Sequence, residues 1–355
     1  MSRPPLRVAV LGAGTVGGEV VRAILDRPGS LTVDGQPALA LAGIVVRDVD
    51  AAAARGLPAD LLTDAPAHLL AAGDIDAVVE LMGGDEPART LIAAALGAGL
   101  PVVTANKHVL AHHGPELEAI ARRTGAALRF EASVGGGIPV LGPLARDLAG
   151  NRVSAVRGIV NGTTNYILSA MTDEGRDYDD VLAAAQAAGY AEADPAGDVE
   201  GHDAVNKLVV LVRLAFGVWL DPSAVVISDA DGPGHGRPGI TGVTALDIAE
   251  AAAAGEVIKL IAAATRGDDG AGGGVDAQVV ATRVDAGSPL GRTSGVLNRI
   301  EVDASPVGTV AFSGPGAGGP ATSSAVLGDL LAIAAGGGST WASLPPTPAL
   351  SSAGA

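Results

Sequence analysis

Asp203 and Lys207 stand four residues apart, at the end of a polar run, GYAEADPAGDVEGHDAVNK (189–207), that also holds Glu192, Asp198, Glu200 and His202. A carboxylate and an ammonium at i and i+4 share one face of a helix, and on a solvated face the pair contributes only about 0.2–0.5 kcal/mol. Here the chain continues Leu208-Val209-Val210-Leu211-Val212, so the spacing predicts a largely buried helix over 202–216. A buried Asp and Lys need polar surroundings, and a polar cavity is where a substrate binds. The chemistry open to such a pair is proton transfer. An ordinary ion pair is the other reading, and spacing leaves both open.

Gly12-Ala13-Gly14-Thr15-Val16-Gly17 is a GxGxxG directly after the apolar run Arg7–Leu11. Gly12 permits the tight turn, Gly14 lets a pyrophosphate approach the backbone, and Gly17 packs a helix on the sheet. The helix-start N–H groups then face the anion. The next strand ends Val45-Val46-Arg47-Asp48. An acidic residue there suits the ribose 2′-OH of NAD, whereas Arg47 suits the 2′-phosphate of NADP. The reading is NADP(H) preferred with NAD(H) possible. Thr104-Ala105-Asn106-Lys107 falls at another strand end, where open α/β sheets bind ligands. Asn161-Gly162-Thr163-Thr164-Asn165 reads as a helix start, whose free N–H groups serve a cap or a substrate carboxylate equally well. The histidines show no metal spacing.

Strands at 7–11, 38–46, 76–82, 100–104 and 127–131 alternate with helices at 15–26, 87–98 and 109–124, which predicts a Rossmann-type doubly wound sheet. After Glu131 the alternation stops. Helices at 139–148, 179–188 and 202–216, a short strand at 225–228 and strands at 153–160, 256–265, 276–285, 299–304 and 308–313 predict an α+β domain on a mixed sheet. The expected domains are 1–130, completed by 314–335, for the dinucleotide, and 131–313 for substrate and dimerisation. A hairpin loop is expected at 266–274, and the Gly/Ser/Pro/Ala tail 336–355 is expected to be disordered.

Composition narrows the function. The 355 residues carry 23 basic and 39 acidic side chains, a net −16, which disfavours nucleic acid and anionic membranes. No cysteine is present, so disulfides, Cys-zinc sites and thiolate nucleophiles are excluded. No apolar stretch approaches the roughly 20 residues of a membrane span, and a cytoplasmic location is expected.

GAGTVG (12–17), TANK (104–107), EASVGGGIP (131–139), GIVNGTTNYIL (158–168), the 189–207 run and GPGAGG (314–319) occur together and in order. In this the chain resembles the homoserine dehydrogenases. The resemblance implies hydride transfer between L-homoserine and L-aspartate 4-semialdehyde, in the aspartate-derived route to threonine, methionine and isoleucine. It implies Lys207 as proton donor with Asp203 as its carboxylate partner, and Lys107 near nicotinamide and substrate. Glu192 would hold the substrate ammonium with Asp198 close by, and Gly162 and Thr163 would contact substrate. Gly189 and Gly318 would touch the cofactor, beside Gly12, Gly14, Thr15, Val16, Gly17, Arg47 and Thr104. It further implies a sodium ion on the Glu131 side chain and the carbonyls of Val134, Gly136 and Ile138, and a homodimer through the second domain. Many members append a regulatory ACT domain; none is read here, so insensitivity to threonine is expected. An aspartate-semialdehyde dehydrogenase would need a catalytic cysteine, and a non-catalytic NADP sensor would not need the lysines and carboxylates.

Overall fold

The computed structural model describes residues 4–267 and 274–347. The chain forms two compact units, one made by the chain up to Arg146 together with the chain from Ala317 onward, the other by Asp147–Gly316. Residues 131–146 thus stay with the first unit rather than the second. Glu131 is the reason: its carboxylate accepts the N–H groups of Val140, Leu141 and Gly142 at 2.6–2.8 Å, and its own N–H donates to Asp329 on the returning helix.

In the first unit six parallel strands lie in the order Leu62–Thr63, Leu39–Val45, Leu6–Leu11, Ala77–Glu80, Val102–Thr104, Leu128–Arg129. This is the doubly wound order, which reverses beside the first strand and places a ligand crevice at the strand ends there. Val8, Val10, Val78, Val79, Val102 and Val103 are fully buried, as strands covered on both faces must be. Helix Thr15–Asp26 turns Val20, Val21, Ala23 and Ile24 inward. Helix Gly319–Ala334 packs on it so closely that a Cβ at Gly319 would lie 3.0 Å from the Thr15 carbonyl.

Two expectations change here. The helix expected over 139–148 starts slightly later and runs over 141–147, its Pro143–Asp147 part wound as a wide turn. The segment after Gly336, expected to be disordered, is held in place as far as Leu344, whose carbonyl accepts from Arg122. Thr340 donates its N–H to Leu128 O and Ser339 accepts from Leu128 N, so the tail covers the free edge of the last strand. Trp341 is 1% exposed, its ring 5.2 Å from that of Phe130. Trp341→Ala is expected to lower stability by about 3–5 kcal/mol in denaturant unfolding; an unchanged midpoint would show that the tail contributes nothing.

The second unit holds a five-stranded sheet in the order Val275–Asp285, Glu256–Arg266, Arg152–Ile159, Leu297–Ser305, Gly308–Pro315. It is antiparallel throughout rather than mixed: hairpin connections make the two outer pairs antiparallel, and the central strand runs against both of its neighbours. Among the described residues of this unit, parallel pairing is confined to isolated bridges Val226–Gln278 and Gly239–Val280, the first being all that forms of the expected strand 225–228. Of the expected hairpin loop, Gly267 N donates to Gly274 O, and 268–273 lie outside the described residues. Helices Gly162–Glu174, His202–Phe216 and Ala245–Ala253 pack on the sheet. The last was missed in the sequence, although Thr244 and Asp247 form a capping box at its start.

Candidate functional site

The glycine turn of the first unit has the geometry its spacing implies. Gly12 sits at φ +94°, and a Cβ on it would lie 2.8 Å from Leu81 O. A Cβ on Gly17 would lie 1.9 Å from Gly12 O, whereas one on Gly14 would meet no protein atom within 4 Å. Helix Thr15–Asp26 has no side-chain cap and no acid in its first turn, which suits its free N–H groups to an anion. A cavity of about 840 Å³ borders this turn, lined among others by Gly12, Gly14, Val46, Arg47, Asp48 and Arg55. The Asp48 carboxylate accepts Ala51 N at 2.8 Å and caps the helix Val49–Ala54, so the acid that complicated the sequence reading already has a structural task. Arg55, which the sequence reading passed over, adds a second guanidinium beside Arg47.

At the neighbouring strand ends Glu80 is fully buried. It accepts the Thr104 hydroxyl at 2.6 Å and the N–H groups of Met82 and Gly83. Asn106 caps helix Lys107–Thr124 by accepting Val109 N, and its amide donates to Gly84 O. Thr104 and the start of Lys107 are thereby pinned at the sheet's carboxyl edge. An acid inside the apolar run AVVELM was the available signal for Glu80.

In the second unit the predicted pair is real and buried. Lys207, 9% exposed, donates from Nζ to Asp203 Oδ2 at 2.6 Å and to Val160 O at 2.7 Å. Two acceptors among the described residues serve the three N–H of the ammonium. Asn161 joins the cluster: its amide donates to Asp198 Oδ1 at 2.7 Å and to Asp203 Oδ2 at 2.8 Å. Its oxygen accepts Thr164 N, capping helix Gly162–Glu174. The sequence showed Asn161 as a cap but not as the bridge between two carboxylates. Gly201, at φ +89°, starts the helix that carries Asp203 and Lys207.

The surrounding residues are brought only partly together. The Thr163 hydroxyl donates to Tyr190 O, tying that helix start to the 189–195 segment. Gly162 faces the backbone of Val296. Gly189 lies at φ +77°. Glu192 is exposed; its carbonyl accepts from Gln186, and its carboxylate has no protein partner among the described residues. Gly318, at φ +109°, precedes helix Gly319–Ala334 in the first unit.

For the expected cation, Glu131 Oε1 accepts two N–H groups and Oε2 one among the described residues, which leaves acceptor capacity on Oε2. Burial pushes this carboxyl above the usual carboxylate range, against the pull of its N–H partners. Gly135 and Gly136 both adopt positive φ, turning the backbone of the segment that carries the Val134, Gly136 and Ile138 carbonyls. An oxygen-only set of this kind fits a hard monovalent cation. Among the described residues no three His, Cys, Asp or Glu are grouped to hold a metal, and no helix is long and apolar enough to cross a membrane.

Residues 12–131 match the model for the homoserine dehydrogenase NAD binding domain, and residues 139–331 that for homoserine dehydrogenase. The chain is 46% identical over 329 residues to a homoserine dehydrogenase of Mycobacterium leprae, covering 92% of this chain and 72% of the relative. A homoserine dehydrogenase structure from Thiobacillus denitrificans superposes with TM-score 0.88 at 36% identity, over 97% of this chain and 79% of that one. A hyperthermophilic archaeal homoserine dehydrogenase in complex with NADPH superposes with TM-score 0.74 at 25% identity, over 93% and 97%. With a doubly wound dinucleotide unit, a buried Lys–Asp pair in an antiparallel-sheet unit and likeness along nearly its whole length, the chain belongs to the homoserine dehydrogenase family of oxidoreductases.

Proposed function

We propose that this chain interconverts L-homoserine and L-aspartate 4-semialdehyde with NADP(H) in preference to NAD(H), with Lys207 as the proton donor and acceptor. The observation that carries the reading is the Lys207 ammonium, held by Asp203 and Val160 O with one N–H left for a substrate oxygen. NADPH, when bound, supplies the hydride. As the aldehyde oxygen gains charge, Lys207 stabilises it and donates the proton. Asp203 holds Lys207 in place, and Asn161 holds Asp203 and Asp198 together. The exposed Glu192 carboxylate receives the substrate ammonium, and the Gly162 and Thr163 N–H groups its carboxylate. Lys107 adds positive charge beside the nicotinamide. In the first unit Gly12, Gly14, Thr15, Val16 and Gly17 carry the pyrophosphate, with Thr104 and Gly318 as further cofactor contacts; Gly189, which belongs to the second unit, is assigned to the cofactor as well. The test is homoserine oxidation with NADP⁺ and NAD⁺ side by side; no turnover with either would sink the reading.

NADP preference rests on Arg47 and Arg55 lining one cavity while Asp48 is committed to its helix cap, and the structure of an archaeal homoserine dehydrogenase is in complex with NADPH. Arg47→Ala with Arg55→Ala is expected to cut kcat/KM for NADP⁺ at least about tenfold, roughly 1.4 kcal/mol, and to leave NAD⁺ little changed. An unchanged NADP⁺/NAD⁺ ratio would remove the 2′-phosphate assignment.

A sodium ion on Glu131 Oε2 and the three carbonyls would brace the segment 131–142. Replacing sodium by tetramethylammonium, too large for the site, should lower the melting temperature of the wild type but not of Glu131→Gln. Equal responses would exclude the site. A cytoplasmic homodimer formed through the second unit, working in the aspartate-derived route to threonine, methionine and isoleucine, completes the proposal; light scattering at working concentration reads the dimer directly.

A further inference from the structure

Lys259 lies in the strand Glu256–Arg266 and is 3% exposed. Among the described residues no carboxylate pairs with it. Its ammonium donates to three neutral oxygens: Thr293 O at 2.8 Å, Asn165 Oδ1 at 3.1 Å and Ser169 Oγ at 3.3 Å. A buried charge without a counter-ion is costly. Burial accordingly pushes the ammonium down to about 8, opposed only by the more distant Asp173. Methionine or leucine would fill the same space without that cost, so the lysine's place calls for a reason beyond packing.

The three acceptors show what it holds. Asn165 and Ser169 belong to helix Gly162–Glu174, and Thr293 belongs to the segment between the strands Val275–Asp285 and Leu297–Ser305. With its oxygen engaged by Lys259, Asn165 turns its amide to the same segment and donates to Thr293 O, Gly295 O and Leu297 O at 2.9–3.3 Å. Lysine and asparagine together fasten 293–297 to the helix. The fastened backbone then meets the start of that helix: a Cβ on Gly162 would lie 3.0 Å from Val296 O. The Gly162–Thr163 turn is therefore enclosed on one side by a peptide whose position is set by Lys259.

We propose that Lys259 is a positioning residue for the amino-acid substrate, holding 293–297 against the Gly162–Thr163 turn so that the turn keeps the shape that receives the substrate. This rests on the reading of Gly162 and Thr163 as substrate contacts. Lys259 touches neither substrate nor cofactor; it acts through Asn165 and the 293–297 backbone. Its loss therefore loosens substrate binding more than it slows the bound complex, and leaves the nucleotide turn of the first unit untouched.

The test is steady-state homoserine oxidation by Lys259→Met, with NADP⁺ binding followed separately by titration. The expected result is a homoserine KM raised about tenfold or more, kcat kept within about threefold, and an NADP⁺ Kd within about twofold of the wild type. A homoserine KM within about twofold of the wild type overturns the proposal. So does a parallel collapse of KM, kcat and nucleotide affinity, which is the mark of a merely structural residue. Should Lys259→Met fail to fold, Ser169→Ala decides: it removes one acceptor of the ammonium, and a KM raised about twofold or more supports the proposal while an unchanged KM overturns it. A wild type with no homoserine turnover sinks the functional reading and the inference with it, whereas an active wild type with unaffected variants sinks only the role of Lys259.

Discussion

Lys207→Met lowers kcat for aspartate-semialdehyde reduction by about 10²–10⁴-fold, the range expected for loss of a general acid, while NADPH binds as tightly as before. The first part follows from the Lys207 ammonium being the charged donor held at 2.6 Å by Asp203 and at 2.7 Å by Val160 O. The second follows from the pyrophosphate turn Gly12–Gly17 lying in the other unit. Removing one partner of a buried ion pair also destabilises the fold, by up to about 3–5 kcal/mol where the remaining charge is fully enclosed. Asp203 keeps the Asn161 amide as a partner, so the loss should fall below that. Lys207→Met with Asp203→Asn removes both charges and should recover stability without recovering rate. Lys207→Arg keeps a charge but cannot readily accept a proton, so homoserine oxidation should stay suppressed in it as well. Single-turnover rates, nucleotide titration and thermal melts on the three variants check this. A Lys207→Met enzyme within about threefold of wild-type kcat would remove the proposed acid.

Gly17→Ala is expected to weaken NADP⁺ binding at least about tenfold, or roughly 1.4 kcal/mol, and to lower the melting temperature. A methyl group there would stand 1.9 Å from Gly12 O, and that oxygen is fixed because Gly12 itself lies against the Leu81 carbonyl. Neither backbone can yield without lifting the helix start off the strand end, and the helix start is what presents N–H groups to the pyrophosphate. Gly18→Ala is the control. A Cβ on Gly18 would have no neighbour nearer than 3.8 Å, and replacing a mid-helix glycine gains about 0.5–1 kcal/mol. Gly18→Ala should bind NADP⁺ normally and melt slightly higher. If Gly17→Ala binds as the wild type does, the close packing of helix on turn is not what shapes the nucleotide site.

Local pattern alone determined much of this protein. The Rossmann-type alternation was legible because buried parallel strands are short apolar runs and the turns between them carry glycine. The glycine turn was legible because steric limits on a backbone are the same in every fold. The Asp203–Lys207 pair was legible because its spacing and the apolar residues after it sit on one helix. What escaped were contacts between residues distant in sequence. Asn161 bridges to Asp198 and Asp203, 37 and 42 positions away. Lys259 reaches Asn165, 94 positions away. Trp341 covers Phe130 from a segment with no periodicity. The antiparallel sheet, in place of a mixed one, depends on which strands become neighbours, and strand runs of the same composition serve either pairing. Glu192 keeps its carboxylate in solvent, where local sequence could not place it. Helix and strand follow from side chains a few positions apart, so one stretch of sequence contains their cause. A polar network closes only when the chain has brought its members within hydrogen-bond reach, and that is decided by how strands and helices stack.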